Sequence, residues 1–371
     1  MNIWRPRERP LQSVRKTYSR EQSAHHQIQG RSTQLTVRVG INGFGRIGRG
    51  FLRAALEKKS YEVVAANDLT NEQTLAHLLK YDTVMGRFGG SVEVGAQGDN
   101  VISVNGKPIR ILSERDPAKL PWKELDVDIV IESTGFFRKR EDAEKHIHAG
   151  AKKVIVSAPG KSEMFTVVLG VNDHEYDPDK HHVVSNASCT TNCLAPMVKV
   201  LDQNFGIVKG LMTTVHSVTN DQIMLDGPHK DLRRARAACW NIVPTTTGAA
   251  KALGLVYPNA HGKLNGMALR VPVMDASLVD LSVVLEKDPD VEAVNNAFKK
   301  ASEEGSLAPY LGYSDEPMVS SDYIGDPHSC TFDSLLTMKQ GDMVKAFGWY
   351  DNEAGYSHRL ADLAEMMAKR L

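Results

Sequence analysis

Cys189 stands in a run of small and hydroxyl residues, Ser185-Asn186-Ala187-Ser188-Cys189-Thr190-Thr191-Asn192-Cys193. The apolar stretch from Leu194 to Phe205 predicts a helix, with Ser188 or a neighbour as its N-cap. Cys189 then sits at the positive end of the helix dipole, which favours thiolate over thiol. A thiolate ringed by hydroxyls and backbone N–H groups is arranged to attack a carbonyl and to hold nearby oxyanions. A lone cysteine is more often a buried structural residue, so the rest of the chain has to decide.

A second chemistry lies near the start. Gly43-Phe44-Gly45-Arg46-Ile47-Gly48 is a GxGxxG. It follows the alternating, β-branched run Leu35 to Ile41 and precedes Ile47, Phe51, Leu52 and Ala55 at helical spacing. Tyr61 to Asn67 reads as the next strand, and Asp68 ends it. Strand, glycine turn, helix and distal acid are the context of a dinucleotide fingerprint. The glycines let the backbone approach a pyrophosphate, and the helix N-terminus supplies positive potential. Asp68 accepts hydrogen bonds from an adenosine ribose and repels a 2′-phosphate, favouring NAD over NADP.

The elements that must carry these residues alternate. Glu72 to Lys80 and Glu141 to Ala149 read as helices, Val127 to Glu132 and Lys153 to Ser157 as strands. Alternation predicts a parallel sheet with right-handed crossovers. Ser133-Thr134-Gly135 and Ser157-Ala158-Pro159 fall at strand ends, where open α/β sheets bind ligands. Beyond the Cys189 helix the pattern changes: Ile207 to Val218, Leu264 to Val271, Ser277 to Glu286 and Leu335 to Trp349 are β-rich, and Val291 to Glu303 is helical. This predicts an α/β chain with an N-terminal Rossmann-type parallel-sheet domain and an α+β domain whose sheet is largely antiparallel. Ser357 to Leu371 predicts a closing helix.

Composition narrows the classes. The 371 residues suffice for two or three cores, and Lys+Arg equals Asp+Glu at 45 each, so nothing in the overall charge argues for nucleic acid or membrane. Four cysteines make neither a disulfide framework nor a zinc site; a reducing cytoplasm is expected, and no metal. The first 34 residues carry seven Lys or Arg against two Glu and read as a basic, disordered extension. A targeting segment or a mis-assigned start stays open as its origin.

Asn42 to Arg49, Ser185 to Asn192, HKDLRRAR (His229 to Arg236), PTTTGAAK (Pro244 to Lys251) and WYDNE (Trp349 to Glu353) together resemble the phosphorylating glyceraldehyde-3-phosphate dehydrogenases. The resemblance runs from about Thr36 to Leu371. It implies that Cys189 is the nucleophile toward the aldehyde of glyceraldehyde 3-phosphate, forming a thiohemiacetal and then a thioester, and that His216 is its base. It implies an inorganic-phosphate site at Ser188, Thr190, Thr247 and Gly248. A substrate-phosphate site at Thr219, Asp221 and Arg270 is also implied, with Arg234 between the two and Asp221 orienting Arg270. The implied NAD contacts are Gly43, Arg46, Ile47, Asp68, Arg115, Ser133, Ser157 and Asn352, the last to the nicotinamide amide.

The resemblance also implies a homotetramer, with Gly227-Pro228 on a loop that reaches across a subunit boundary. The domain division expected is 35–187 for NAD, completed by the helix 353–371, and 188–352 for catalysis. Erythrose-4-phosphate dehydrogenase and an NAD-binding regulatory paralogue are the alternatives. The chain departs from the family pattern at Val218 (usually Tyr), Ile223 (usually Arg), Ala354 (usually Trp) and Val273-Met274-Asp275 (often Thr-Pro-Asn).

Overall fold

Two sheets organise the described residues, 36–96 and 98–371 of a computed structural model. The extension expected over 1–34 lies outside them. The first sheet contains β1 (Val37–Asn42), β2 (Tyr61–Asn67), β3 (Val92–Val94), β4 (Val101–Val104), β5 (Lys107–Leu112), β6 (Ile129–Glu132), β7 (Lys153–Val156), β8 (Phe165–Thr166) and β9 (Val183–Ser185). Their spatial order is β3-β4-β5-β2-β1-β6-β7-β9-β8. β1 pairs in parallel with β2 on one side and β6 on the other. The chain therefore reverses direction of growth at β1, and a crevice opens at the carboxyl ends of these strands. β6 and β7 are buried on both faces, which is why they read as short unbroken apolar runs.

The helices α1 (Arg46–Ala55) and α2 (Glu72–Lys80) follow β1 and β2. The stretch read as one helix over 141–149 forms two short ones, α3 (Arg140–Ala143) and α4 (Lys145–His148). The antiparallel β3-β4-β5 edge was not read from sequence. Its strands are short and many of their positions exposed, so only Val92, Ile102, Val104, Ile109 and Ile111 are buried to mark it.

The second sheet contains β10 (Ile207–His216), β11 (Val243–Thr246), β12 (Leu264–Arg270), β13 (Ser277–Leu285), β14 (Leu311–Ser314), β15 (Cys330–Asp333), β16 (Met338–Gln340) and β17 (Met343–Tyr350). The order is β11-β12-β10-β13-β17-β15-β14, with β16 paired to β17. Pairings are antiparallel except β10 with β12 and β14 with β15. β13 alternates buried and half-buried residues along its whole length, so one face meets the core. The helices α5 (Cys189–Phe205), α6 (Ala249–Val256) and α7 (Val291–Glu303) complete that core. There Phe298 of α7 stacks on Phe332 of β15 with ring centroids 3.8 Å apart.

The last helix, α8 (Ala354–Ala368), begins three residues earlier than expected because Asp351 Oδ1 accepts the backbone N–H groups of Glu353 (2.8 Å) and Ala354 (2.7 Å). Its Leu360, Leu363, Ala364 and Met367 share a core with Phe51 and Leu52 of α1. The C-terminal helix thus returns to the first sheet.

Candidate active site

The ends of several elements converge on one edge of the second sheet. His216 and Arg270 are the last residues of β10 and β12 and stand opposite each other in register. Ser277, at the start of β13, pairs with Tyr350, at the end of β17. Ala187 turns the chain into this edge with φ 54°, a conformation that non-glycine residues rarely adopt. Ser188 then caps α5: its Oγ accepts the Thr191 N–H at 3.1 Å. Cys189 is the first helical residue, and its Sγ lies 3.5 Å from His216 Nε2.

The ring orientation of His216 follows from its other nitrogen. Nδ1 lies 2.8 Å from the Ser217 carbonyl oxygen, which can only accept. Arg270 Nη1, which can only donate, lies 3.0 Å from the same nitrogen, but its two hydrogens have the Ser217 carbonyl and Thr219 Oγ1 as acceptors. On that count we assign the hydrogen to His216 Nδ1, leaving the Nε2 lone pair toward the sulfur. Burial pushes the His216 imidazole down to about 3, and the Arg270 charge adds to the effect. Burial also pushes the Cys189 thiol up, against Arg270 and the Thr190 hydrogen bonds, which pull it down. Desolvation thus works against the thiolate expected from the helix end, while Arg270 and Thr190 work for it.

The implied anion residues divide. Arg270 donates to the Ser217 carbonyl (3.1 Å) and Thr219 Oγ1 (3.3 Å), and its Nε has no partner among the described residues. Asp221 does not orient it. Asp221 pairs instead with Arg234, which also donates to Thr245 Oγ1 at 3.0 Å and the Thr246 carbonyl at 3.3 Å. The expectation failed because the run 217–242 folds as turns that bring Arg234 back over Asp221. Thr247 and Gly248 open α6, with Thr247 Oγ1 accepting the Ala249 N–H. Ser188 Oγ already meets Thr191 Oγ1 at 2.8 Å, and buried Thr190 meets the Tyr350 hydroxyl at 2.9 Å.

The expected dinucleotide crevice is a cleft of about 350 Å³ lined by Gly43, Asp68, Arg115 and Ser133 among others. Gly43 has φ +93°, and a Cβ there would sit 2.6 Å from the Thr134 nitrogen. A Cβ on Gly48 would sit 2.2 Å from the Gly43 carbonyl oxygen, so the third glycine lets α1 close on the turn. Gly45 begins α1 without a side-chain cap, leaving its first N–H groups available to an anion. Asp68 accepts the Phe44 N–H at 3.0 Å and the Thr70 N–H at 3.1 Å, which fixes its carboxylate at the rim. These features fit a pyrophosphate and a ribose. The Arg46 side chain turns away to Glu353 and Asp82. It does not line this cleft, and neither do Ile47, Ser157 and Asn352. Ser157 follows β7, its N–H bonded to the Glu132 carbonyl at 2.9 Å. Asn352 is buried near the thiol edge, its Oδ1 accepting from Ser217 Oγ and Ser277 Oγ, both at 2.7 Å.

Sequence reasoning missed the groups behind these residues. Tyr350 bridges Thr190 and Thr214 under the site; its place inside WYDNE was the only signal. Glu132 accepts from Asn42 Nδ2 (2.6 Å) and contacts His146 Nε2 (3.0 Å), while Trp122 Nε1 donates to His146 Nδ1 at 2.9 Å. This buried chain braces β1 against β6 beneath the cleft. An acid ending an apolar strand was its trace in the sequence.

Asp275 is fully buried, and burial, with Asp351 and Glu353 nearby, raises its carboxyl to about 8. Asp351 accepts three backbone N–H groups, from Gly325, Glu353 and Ala354, so the shared proton belongs on Asp275. The folded state thus keeps a proton that the unfolded chain releases near pH 4. Stability falls as pH climbs from about 4 to about 8, by at most about 1.4 kcal/mol per unit, and no further above that. Asp275→Asn, which keeps a donor toward Asp351, is expected to match the parent near pH 4 and to exceed it increasingly up to pH 8. Thermal melts at pH 5, 7 and 9 measure this; parallel curves for both proteins refute it.

A glycine-cradled dinucleotide cleft joined to a domain that presents a thiol and an imidazole defines an oxidoreductase built on a nucleotide-binding sheet. The description "Glyceraldehyde 3-phosphate dehydrogenase, NAD binding domain" matches residues 37–140, and "Glyceraldehyde 3-phosphate dehydrogenase, C-terminal domain" matches 188–352. The chain is 61% identical over 339 residues to the glyceraldehyde-3-phosphate dehydrogenase of Streptomyces coelicolor, covering 91% of this chain and 100% of that protein. It is 62% identical over 337 residues to the enzyme of the same name from Geobacillus stearothermophilus, covering 91% and 99%. Against that of Mycobacterium bovis it is 57% identical over 343 residues, covering 91% and 100%. The chain belongs to the glyceraldehyde 3-phosphate dehydrogenase family, and its cofactor is NAD.

Proposed function

We propose that this chain oxidises D-glyceraldehyde 3-phosphate to 1,3-bisphosphoglycerate, with NAD as hydride acceptor and inorganic phosphate as acyl acceptor, in glycolysis or gluconeogenesis. The observation that carries this reading is Cys189 Sγ, at the head of α5, 3.5 Å from His216 Nε2. His216 takes the thiol proton as sulfur attacks the aldehyde carbon, and hands it to the new alkoxide, giving a thiohemiacetal. It takes the hydroxyl proton back as the carbon loses hydride, leaving a thioester. Arg270 and Thr219 hold the substrate phosphate, and Asp221 acts by pinning Arg234. Ser188, Thr190, Thr247 and Gly248 receive the attacking phosphate, which forms the C–O bond as the C–S bond breaks.

Bound NAD supplies the ring that accepts hydride. For it we assign Gly43, Asp68, Arg115 and Ser133 of the cleft, with the backbone N–H groups of Arg46 and Ile47 at the head of α1 and Ser157 beyond β7. Asn352, its oxygen held by two serines, has its amide nitrogen left for the nicotinamide amide. NADH formation from glyceraldehyde 3-phosphate that requires inorganic phosphate is the test. Turnover without phosphate, or preference for erythrose 4-phosphate, overturns the assignment.

Asp68→Ala removes a charged acceptor, an effect of about 1.5–3 kcal/mol. A rise of roughly 10- to 100-fold in the NAD KM and a relative gain with NADP are expected. An unchanged NAD/NADP ratio refutes the role.

A homotetramer is supported by exposed apolar residues gathered on the segment that carries Gly227-Pro228: Met224, Leu225, Leu232, Trp240 and Ile242. Light scattering behind size exclusion should give four times the chain mass; a monomer mass refutes it. We further propose a cytoplasmic setting, supported by four cysteines that all stand as free thiols. The proposed division is 35–187 with 353–371 for cofactor and 188–352 for catalysis.

A further inference from the structure

The antiparallel register that sets Ser277 opposite Tyr350, continued past the last pair, brings residues 275 and 276 alongside 351 and 352. Ala276 turns the chain there with φ 62°, a conformation that non-glycine residues rarely adopt. On one side of the turn Ser277 Oγ donates to Asn352 Oδ1 at 2.7 Å. On the other side is Asp275, fully buried. Its Oδ1 accepts the Ala276 N–H at 2.8 Å, and its Oδ2 has no hydrogen-bond partner among the described residues. A negative charge on this carboxyl has little to stabilise it.

Two charged groups face Asp275: Asp351 after the end of β17, and Glu353 at the head of α8. Glu353 is tied to Arg46 of α1, which also holds Asp82. Asp351 accepts the N–H groups of Glu353, Ala354 and, at 2.7 Å, Gly325, so one carboxylate anchors the backbone on both sides of Asn352. Two carboxylates buried together resist ionising together. While Asp275 is the neutral acid, Asp351 keeps its three bonds. Once Asp275 ionises, the repulsion falls on the group that anchors Asn352. With the nicotinamide contact assigned to Asn352 above as its basis, we propose that Asp275 is a positioning residue for NAD. Its neutral acid form keeps Asn352 in place, and NAD binding and the Asp275 proton therefore favour one another.

Calorimetric titration of the full chain with NAD tests this without turnover. Burial and the two neighbouring acids raise the Asp275 carboxyl to about 8, so the proton is lost within a workable range. The parent's Kd should be level between pH 6 and 7 and about three- to tenfold higher at pH 9, tenfold being the most that one proton allows. At pH 8.5, titrations in two buffers of different ionisation enthalpy should show NAD binding taking up part of a proton. Asp275→Asn, neutral at every pH, should give a level Kd from pH 6 to 9 and no uptake. Asn352→Ala should raise the Kd about tenfold at pH 6, the loss of one hydrogen bond. An unchanged Kd for Asn352→Ala removes the nicotinamide contact, and the proposal with it. A raised Kd for that variant beside a parent Kd level to pH 9 overturns the role of Asp275 alone, as does proton uptake that persists in folded Asp275→Asn.

Discussion

Cys189→Ser is expected to lower turnover by at least about 10⁴-fold while leaving the fold and NAD affinity unchanged. A serine hydroxyl is far less acidic than a thiol and a poorer nucleophile toward an aldehyde. Burial already pushes the Cys189 thiol up, so the reaction has no reserve of acidity to lose. The local structure tolerates the change, because Ser188 supplies the cap of α5 and residue 189 only follows it. Stopped-flow mixing should show no burst of NADH with the variant, and fluorescence titration should show undiminished NAD binding. A variant that still produces a burst would remove Cys189 from the chemistry.

The second large effect is expected for His216→Asn, a loss of about 10²- to 10⁴-fold in the acylation rate. Asparagine can still donate to the Ser217 carbonyl, as Nδ1 does at 2.8 Å, but offers the sulfur no comparable base. The pH profile separates a base from a merely structural residue. With burial holding the imidazole near 3, it stays unprotonated above about pH 4, and the parent's acylation rate should change little between pH 5 and 8. In the variant the thiolate must form unaided. Its rate should climb about tenfold per pH unit until the thiol ionises, at a pH that burial keeps high. Similar slopes for the two proteins would argue that His216 only supports the local structure.

Much of the site's scaffold was legible before any coordinates. Gly43, Gly45 and Gly48 between a strand and a helix, with Asp68 ending the next strand, describe the cleft because every signal lies within one β-α-β unit. Ser188 capping the helix of Cys189 is equally local. The shallow β3-β4-β5 edge was not legible, since its strands carry few inward apolar residues. Tyr350, which ties Thr190 to Thr214, is 160 residues from the first and 136 from the second; no spacing rule spans such separations.

The amino-acid sequence by itself determined the strand–glycine–helix turn, the helix headed by Cys189 and the alternation that separates a parallel from an antiparallel sheet. Those features depend on neighbours within a few turns of chain. Only the tertiary structure decided that Asp221 holds Arg234 rather than Arg270, that burial pushes the Cys189 thiol up and the His216 imidazole down, and that Asp275 keeps a proton beside Asp351. Desolvation and Coulomb interactions depend on which distant segments meet and how much water they exclude, and those are properties of the packed chain.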